Sequence, residues 1–108
     1  MSTYSLHVGP ASLSMGHTEA LPHKMRPLVW EITNVFVPEE HRKKGWGTKL
    51  IEHACETADI QGMLLVLHVE EGNEHLIDWY GKFGFQTIQQ EPEILMARSV
   101  QKRQAQVH

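Results

Sequence analysis

The 108-residue chain predicts a mixed α/β (α+β) domain whose sheet is centred on two parallel strands joined by one helix. Three observations carry that expectation. Glu31–Val37 has strand composition, with β-branched and aromatic residues at Val35, Phe36 and Val37, and Pro38 ends it because proline has no N–H for a ladder. From Trp46 the apolar period changes: Trp46, Leu50, Ile51, Ala54, Cys55 and Ala58 recur at helical spacing. Met63–Glu70 is then a near-continuous apolar run between Gly62 and Gly72, the pattern of a central strand. Strand, helix and strand in that order make a right-handed crossover between parallel neighbours.

The remaining elements follow along the chain. Tyr4–Val8 alternates β-prone residues, Gly9-Pro10 signals a turn, and Ala11–Met15 is the expected returning strand of a hairpin. Gly16–Leu28 carries two prolines and two histidines with little periodicity and reads as a loop, placed where a substrate could dock near the Glu31 strand. The helix from Trp46 runs to about Ile60, with Gly62 as its stop. Glu74–Phe83 is a second, shorter helix with Leu76, Ile77, Tyr80 and Phe83 on one face, ended by Gly84. Phe85–Ile88 and Ile94–Arg98 are two further strands, an antiparallel hairpin closed by the turn Glu91-Pro92-Glu93. The tail at 100–108 has few apolar residues and is expected to fray, which leaves 1–99 as one domain.

Composition narrows the function classes. The net charge of −3 argues against a general nucleic-acid binder, which would be basic. Positive charge is concentrated in Arg42–Lys49, as suits one phosphorylated ligand rather than a long polyanion. No apolar run approaches the roughly 20 residues needed to span a bilayer, and the first residues lack the basic and apolar segments of a signal peptide, so no membrane association is expected. Cys55, the single cysteine, cannot form an internal disulfide and falls on the apolar helix face as a packing residue; a cytoplasmic, reducing compartment fits. The eight histidines are scattered without metal-ligand spacing, so no metal is expected.

The chemistry concentrates at the strand-to-helix junction. Arg42-Lys43-Lys44-Gly45-Trp46-Gly47 puts two glycines where a helix opens. The first helical turn has N–H groups without intrahelical partners, and the dipole is positive there. Glycine lets a phosphate approach the backbone, and the three cations add charge, which together make a pyrophosphate cradle. A solvated charge run ahead of an ordinary helix start is the alternative. A nucleotide-triphosphatase loop is excluded: Gly45-Trp46-Gly47-Thr48-Lys49 has its lysine after the threonine and lacks the first glycine.

The wider spacing resembles one family. Glu31-Ile32-x-x-Val35-x-Val37-Pro38 followed by Arg42-x-x-Gly45-x-Gly47 is similar to the acetyl-CoA motif of the GCN5-related N-acetyltransferases (GNAT). Leu67-x-Val69-x-x-x-Asn73 and Tyr80-x-Lys82-x-Gly84-Phe85 resemble the family's second motif. The resemblance spans Glu31 to about Arg98. It implies an acetyl-CoA cosubstrate held by Val35, Phe36 and Val37 through their backbones, and by Arg42, Lys43, Lys44, Gly45, Trp46, Gly47 and Thr48 around the pyrophosphate. It also implies Tyr80 as the general acid for the departing thiolate and Glu31 as the base for the amine. Asn73 is expected as a cofactor contact or as the cap of the Glu74 helix, and Lys82 as a phosphate contact or a solvated side chain. Trp46 and Trp79 also suit packing. Glu70 and Glu71, at the exit of the second central strand, suit attraction of a cationic amine.

Full-length members of that family begin with a strand and two helices that wall the acceptor site, and too little chain precedes Glu31 for that element as well as the hairpin. The expectation is therefore an unusually short member with this element reduced or missing, an open site, and an exposed sheet edge that a homodimer or partner could cover. Two functions compete. One is an N-acetyltransferase that moves acetyl directly to a small amine or a protein lysine. The other is a CoA-binding or protein-interaction module with little activity.

Overall fold

The computed structural model describes residues 4–17 and 28–101. The element order is β1 (Tyr4–Val8), β2 (Ala11–Gly16), β3 (Val29–Phe36), a 3-10 turn (Glu39–His41), α1 (Trp46–Gln61), β4 (Leu64–Val69), α2 (His75–Gly81), β5 (Gln86–Gln89) and β6 (Ile94–Arg98). One six-stranded sheet runs in the order β1-β2-β3-β4-β6-β5. Among the described strands only β3 and β4 are parallel, and α1 is the crossover between them, as the sequence predicts. The last two strands form the expected hairpin, but β6 is inserted against β4 and pushes β5 to the edge.

The amphipathic period of α1 is used in full. Leu50, Ile51, Ala54, Cys55 and Ala58 are all buried, where they meet Leu13, Met15, Ile32, Leu65, Leu67 and Met96 from the sheet. Gly62 ends the helix at φ +72, with Met63 N donating to Ala58 O at 2.8 Å and Gly62 N to Asp59 O at 3.3 Å. This is a Schellman stop, which needs the left-handed residue that glycine supplies cheaply. Trp46 and Trp79 pack against the same core.

Several boundaries differ from expectation, each for a local reason. β3 starts two residues earlier than Glu31, because Val29 and Trp30 pair with Leu64 and Leu65. The second helix ends at Gly81 rather than Phe83: Lys82, Phe83 and Gly84 donate to residues three back, tightening the end into a turn. Gly16 belongs to β2, and most of the expected 16–28 loop lies outside the described residues. Gln101 N donates to Asp59 Oδ1 at 2.9 Å; the rest of the expected tail, residues 102–108, lies outside the described part.

That contact belongs to a buried clip behind the sheet. Arg98 Nη1 and Nη2 donate to the two carboxylate oxygens of Asp59 at 2.8 and 3.1 Å, and Arg98 Nε donates to Phe83 O at 2.7 Å. It ties the end of α1 to β6 and to the turn after α2. Burial alone would pull the guanidinium pKa down; the hydrogen bonds and charge of Asp59, with Cys55 beside them, outweigh that and hold it above its ordinary value.

Candidate active site where the parallel strands part

Strand register sets the geometry of the site. The β3–β4 ladder has three pairs, Val29↔Leu64, Trp30↔Leu65 and Glu31↔Val66, and then stops. β4 goes on beside β6 to Val69↔Ile94. β3 stays with β2, but with a bulge: between Ser14↔Thr33 and Ser12↔Phe36, Asn34 and Val35 stand opposite Leu13 alone. Asn34 takes φ +55, a conformation that asparagine tolerates better than most residues. A bulge bends its strand and increases its twist. β3 therefore leans away from β4, and a cleft of about 570 Å³ opens between Thr33–Val35 and Leu67–Glu70, with Asn73 and Tyr80 of the α2 region along it.

At the end of β3 the chain reaches the basic loop. Arg42 Nε donates to Val37 O at 2.9 Å, which folds the loop back on the strand. Lys43 and Gly45 both take positive φ, +63 and +85. Gly45 is the N-cap of α1 and makes no side-chain cap bond, and the first helical hydrogen bond is Lys49 N to Gly45 O at 3.1 Å. The N–H groups of Trp46, Gly47 and Thr48 thus have no helical acceptor, and a turn with alternating handedness precedes them. This is the arrangement that binds an anion. A Cβ at Gly47 would lie 3.8 Å from Trp79 and 3.9 Å from Val37, so the loop, the end of β3 and α2 meet at one point.

Tyr80 follows Trp79 on α2. Its ring is held by Trp79 at 5.0 Å and Phe85 at 5.7 Å between centroids, and only 7% of the residue is exposed. Burial raises its pKa above the ordinary value of 10, so at neutral pH it is the protonated phenol. Across the cleft stands Glu31, at the last ladder pair. Its Oε2 lies 3.2 Å from His68 Nε2, and His68 Nδ1 lies 3.2 Å from Glu93 Oε2. Glu31, His68 and Glu93 therefore form a row that begins 19% exposed and ends 61% exposed. Among the described residues no group of His, Cys, Asp and Glu could hold a metal ion, so this is a row and not a cage.

The structure gathers most of the expected site residues. Val35 lines the cleft, while Phe36 pairs with Ser12 and Val37 accepts from Arg42. Asn73 lines the cleft but is not the helix cap. That position is Glu74, without a side-chain cap bond, because the chain enters α2 through the turn bond Leu76 N to Asn73 O at 2.9 Å. Lys82 is exposed at the far end of α2, away from the cleft lining. His68 and Glu93 are additions. A signal for His68 was present in the sequence: it is the one polar residue within Leu64–Val69. A second cavity of about 870 Å³ shares His68, Val69, Glu70 and Glu93 with the cleft and adds Glu71, Glu74 and Glu91.

Comparison with known proteins agrees with this anatomy. The profile of the Acetyltransferase (GNAT) family matches residues 8–85. N-alpha-acetyltransferase 50 of Danio rerio is 39% identical over 51 residues, 45% of this chain, and the match spans only 30% of that relative's length. The ribosomal-protein-S18-alanine N-acetyltransferase of Escherichia coli superposes with a TM-score of 0.71 at 19% identity, over 99% of this chain and 74% of that one. The yncA structure of Salmonella typhimurium, solved with its cofactor acetyl-CoA, superposes with a TM-score of 0.72 at 21% identity, over 89% and 61%. The likeness in structure concerns the fold, and the family match covers both the basic loop and Tyr80. This chain belongs to the GNAT family of acetyltransferases.

Proposed function

We propose that this chain is an acetyl-CoA-dependent N-acetyltransferase that transfers acetyl directly to a primary amine. The observation that carries the reading is one cleft lined by Tyr80 and by the Glu31–His68 row, with an uncapped helix N-terminus following the strand that forms one of its edges. The pyrophosphate rests on the N–H groups of Trp46, Gly47 and Thr48, and the pantetheine arm lies along the freed edge of β3. The amine nitrogen attacks the thioester carbonyl; a C–N bond forms, the C–S bond breaks, and the amine proton passes to Glu31. His68 and Glu93 carry it toward solvent.

Burial gives Tyr80 a limited part. A thiol has a pKa of roughly 8.5, below that of a phenol held above 10, so full transfer of the phenolic proton to the sulfur is uphill. Tyr80 therefore steadies the departing thiolate by donating a hydrogen bond, and the thiol's proton comes in the end from the amine through solvent. The acceptor is an amine with a second positive charge nearby, because the cavity leading from the reaction cleft is lined by Glu70, Glu71, Glu74, Glu91 and Glu93. Such a ring of carboxylates attracts cations and repels acids.

Calorimetric titration with acetyl-CoA tests the cradle. Among the described residues nothing lies within 4 Å of a Cβ at Gly45, so Gly45→Asp adds charge and backbone strain without a clash there, and Gly45→Ala adds the strain alone. Binding by the wild type, weakened in the alanine variant and lost in the aspartate variant, supports the reading; no binding by the wild type ends it. Release of CoA thiol is then compared for diamines and monoamines. Equal KM values would remove the cationic-acceptor part. Binding without turnover of any amine would favour the CoA-binding module instead.

A further inference from the structure

The β1–β2 hairpin lines neither the cleft nor the basic loop, yet its turn lies against the first residue of α1. Gly9 takes φ +57, and a Cβ placed on it would come 2.4 to 2.8 Å from three carbons of the Trp46 indole. Real Cβ atoms do not approach that closely, so the ring occupies the space that a side chain at Gly9 would need. Trp46 is the residue that follows the N-cap Gly45, and its own N–H is one of the three without a helical acceptor. The ring is partly buried against the core, and Lys49 Nζ stands 5.0 Å from its centre on the next turn. The indole is thus held between the hairpin turn and the body of the helix.

From this packing we infer that Gly9 is a positioning residue for the cofactor loop, acting through Trp46. The inference rests on the reading of that loop as the pyrophosphate cradle. Arg42 fixes the start of the loop to Val37, but nothing comparable caps Gly45. The helix end has no side-chain cap to set its direction, and the ring seated on the turn supplies that constraint from a part of the chain 37 positions away. Anything that lifts the ring turns the Trp46, Gly47 and Thr48 N–H groups away from a bound diphosphate. Tyr80 and Glu31 lie outside this contact, so the chemical step is spared.

The test uses the full chain and CoA itself as the titrant, so no acceptor is needed. Gly62→Ala is the control for strain: Gly62 has φ +72 and open space around its Cβ position, at the other end of the same helix. Four variants are compared with wild type for apo melting temperature and CoA affinity: Gly9→Ala, Gly62→Ala, Trp46→Leu and the double variant Gly9→Ala/Trp46→Leu. Gly9→Ala is expected to weaken CoA binding at least tenfold, the effect of misaligning one charge-assisted hydrogen bond. Gly62→Ala is expected to lower the melting temperature while leaving CoA affinity within about twofold, because backbone strain alone does not move the loop. Trp46→Leu is also expected to weaken binding, and Gly9→Ala in its background is expected to cost nothing further, because the ring it displaces is gone.

Gly9→Ala binding within twofold of wild type, or penalties that add in the double variant, would overturn the inference. Should Gly9→Ala fail to fold, Trp46→Leu with wild-type affinity overturns it equally. Absence of CoA binding by the wild type is the separate result that would refute the cradle and take this inference with it.

Discussion

Replacing Arg98 by alanine tests the clip behind the sheet, and its magnitude can be worked from the contacts. The variant removes two hydrogen bonds to Asp59, at 2.8 and 3.1 Å, and one to Phe83 O, at 2.7 Å. The Arg98 and Asp59 side chains are 4% and 2% exposed, so water cannot replace what is lost. Removing one partner of a buried ion pair costs about 3–5 kcal/mol. Domains of this size hold about 5–15 kcal/mol in all, so the loss is a large part of the total. At about 4–6 °C per kcal/mol the melting temperature falls by about 12–30 °C. Urea denaturation at neutral pH reads the free energy directly, with an unchanged slope if the unfolded state is unaffected. Replacing both partners by Asp59→Leu and Arg98→Met should restore most of the loss. A single-variant penalty under about 1 kcal/mol would refute the reasoning, since removing one partner of a buried pair leaves the other without its counter-charge and should cost more than that.

Four other outcomes follow from the site. Tyr80→Phe keeps both ring contacts and loses the hydrogen bond to the thiolate, so it should lower kcat by about 10²–10³-fold with CoA affinity unchanged; a normal kcat would remove Tyr80 from the chemistry. The same variant should lose a pH effect on stability. The folded phenol pKa is raised by burial, so its contribution is complete below pH 10 and lost as pH rises above it, and melting curves of Tyr80→Phe should fall less steeply in that range. Glu31→Gln should lower turnover most near neutral pH and recover part of it toward pH ~10, where an amine sheds its proton to solvent; a constant ratio to wild type across pH would count against a base. Lys43→Gly relieves a residue at φ +63 while deleting a charge beside the cradle, so thermal stability should hold or rise as CoA affinity falls and becomes less sensitive to salt. A fall in both would mean that Lys43 is structural.

What could be read in advance was whatever depends on neighbours in sequence. The apolar face of α1, its Gly62 stop and the glycines at its start obey rules confined to one or two turns, and the parallel pair follows from a strand, a helix and a strand. The bulge at Asn34 was not legible, because it exists only through the register of β2 against β3. Nor was the row from Glu31 to Glu93. His68 reaches Glu31 because the ladder pairs Glu31 with Val66 and strand alternation puts His68 on the same face. Arg98 meets Asp59 across 39 positions, a partnership that no local pattern announces. Asn73 failed as a cap because the chain tightens into a turn one residue before the helix begins.

The brevity of the β3–β4 ladder has a mechanical consequence. Among the described residues, three pairs are all the strand pairing between a half made of β1, β2 and β3 and a half made of β4, β6 and β5. α1 spans the join, with contacts to β1, β2 and β4, and works as the spring of a clothes-peg whose jaws are the parted strands. The molecule is thus weakest along the line where a ligand would lie, and a pantetheine arm between the jaws would act as a short seventh strand. Those amides between Ile32 and Phe36 that face the cleft rather than β2 should then exchange with solvent quickly in the free protein and slowly in the complex. Occupancy at 100 times Kd would add about 2.7 kcal/mol to the stability of the whole chain, so the cosubstrate would serve as a part of the fold as well as a reactant.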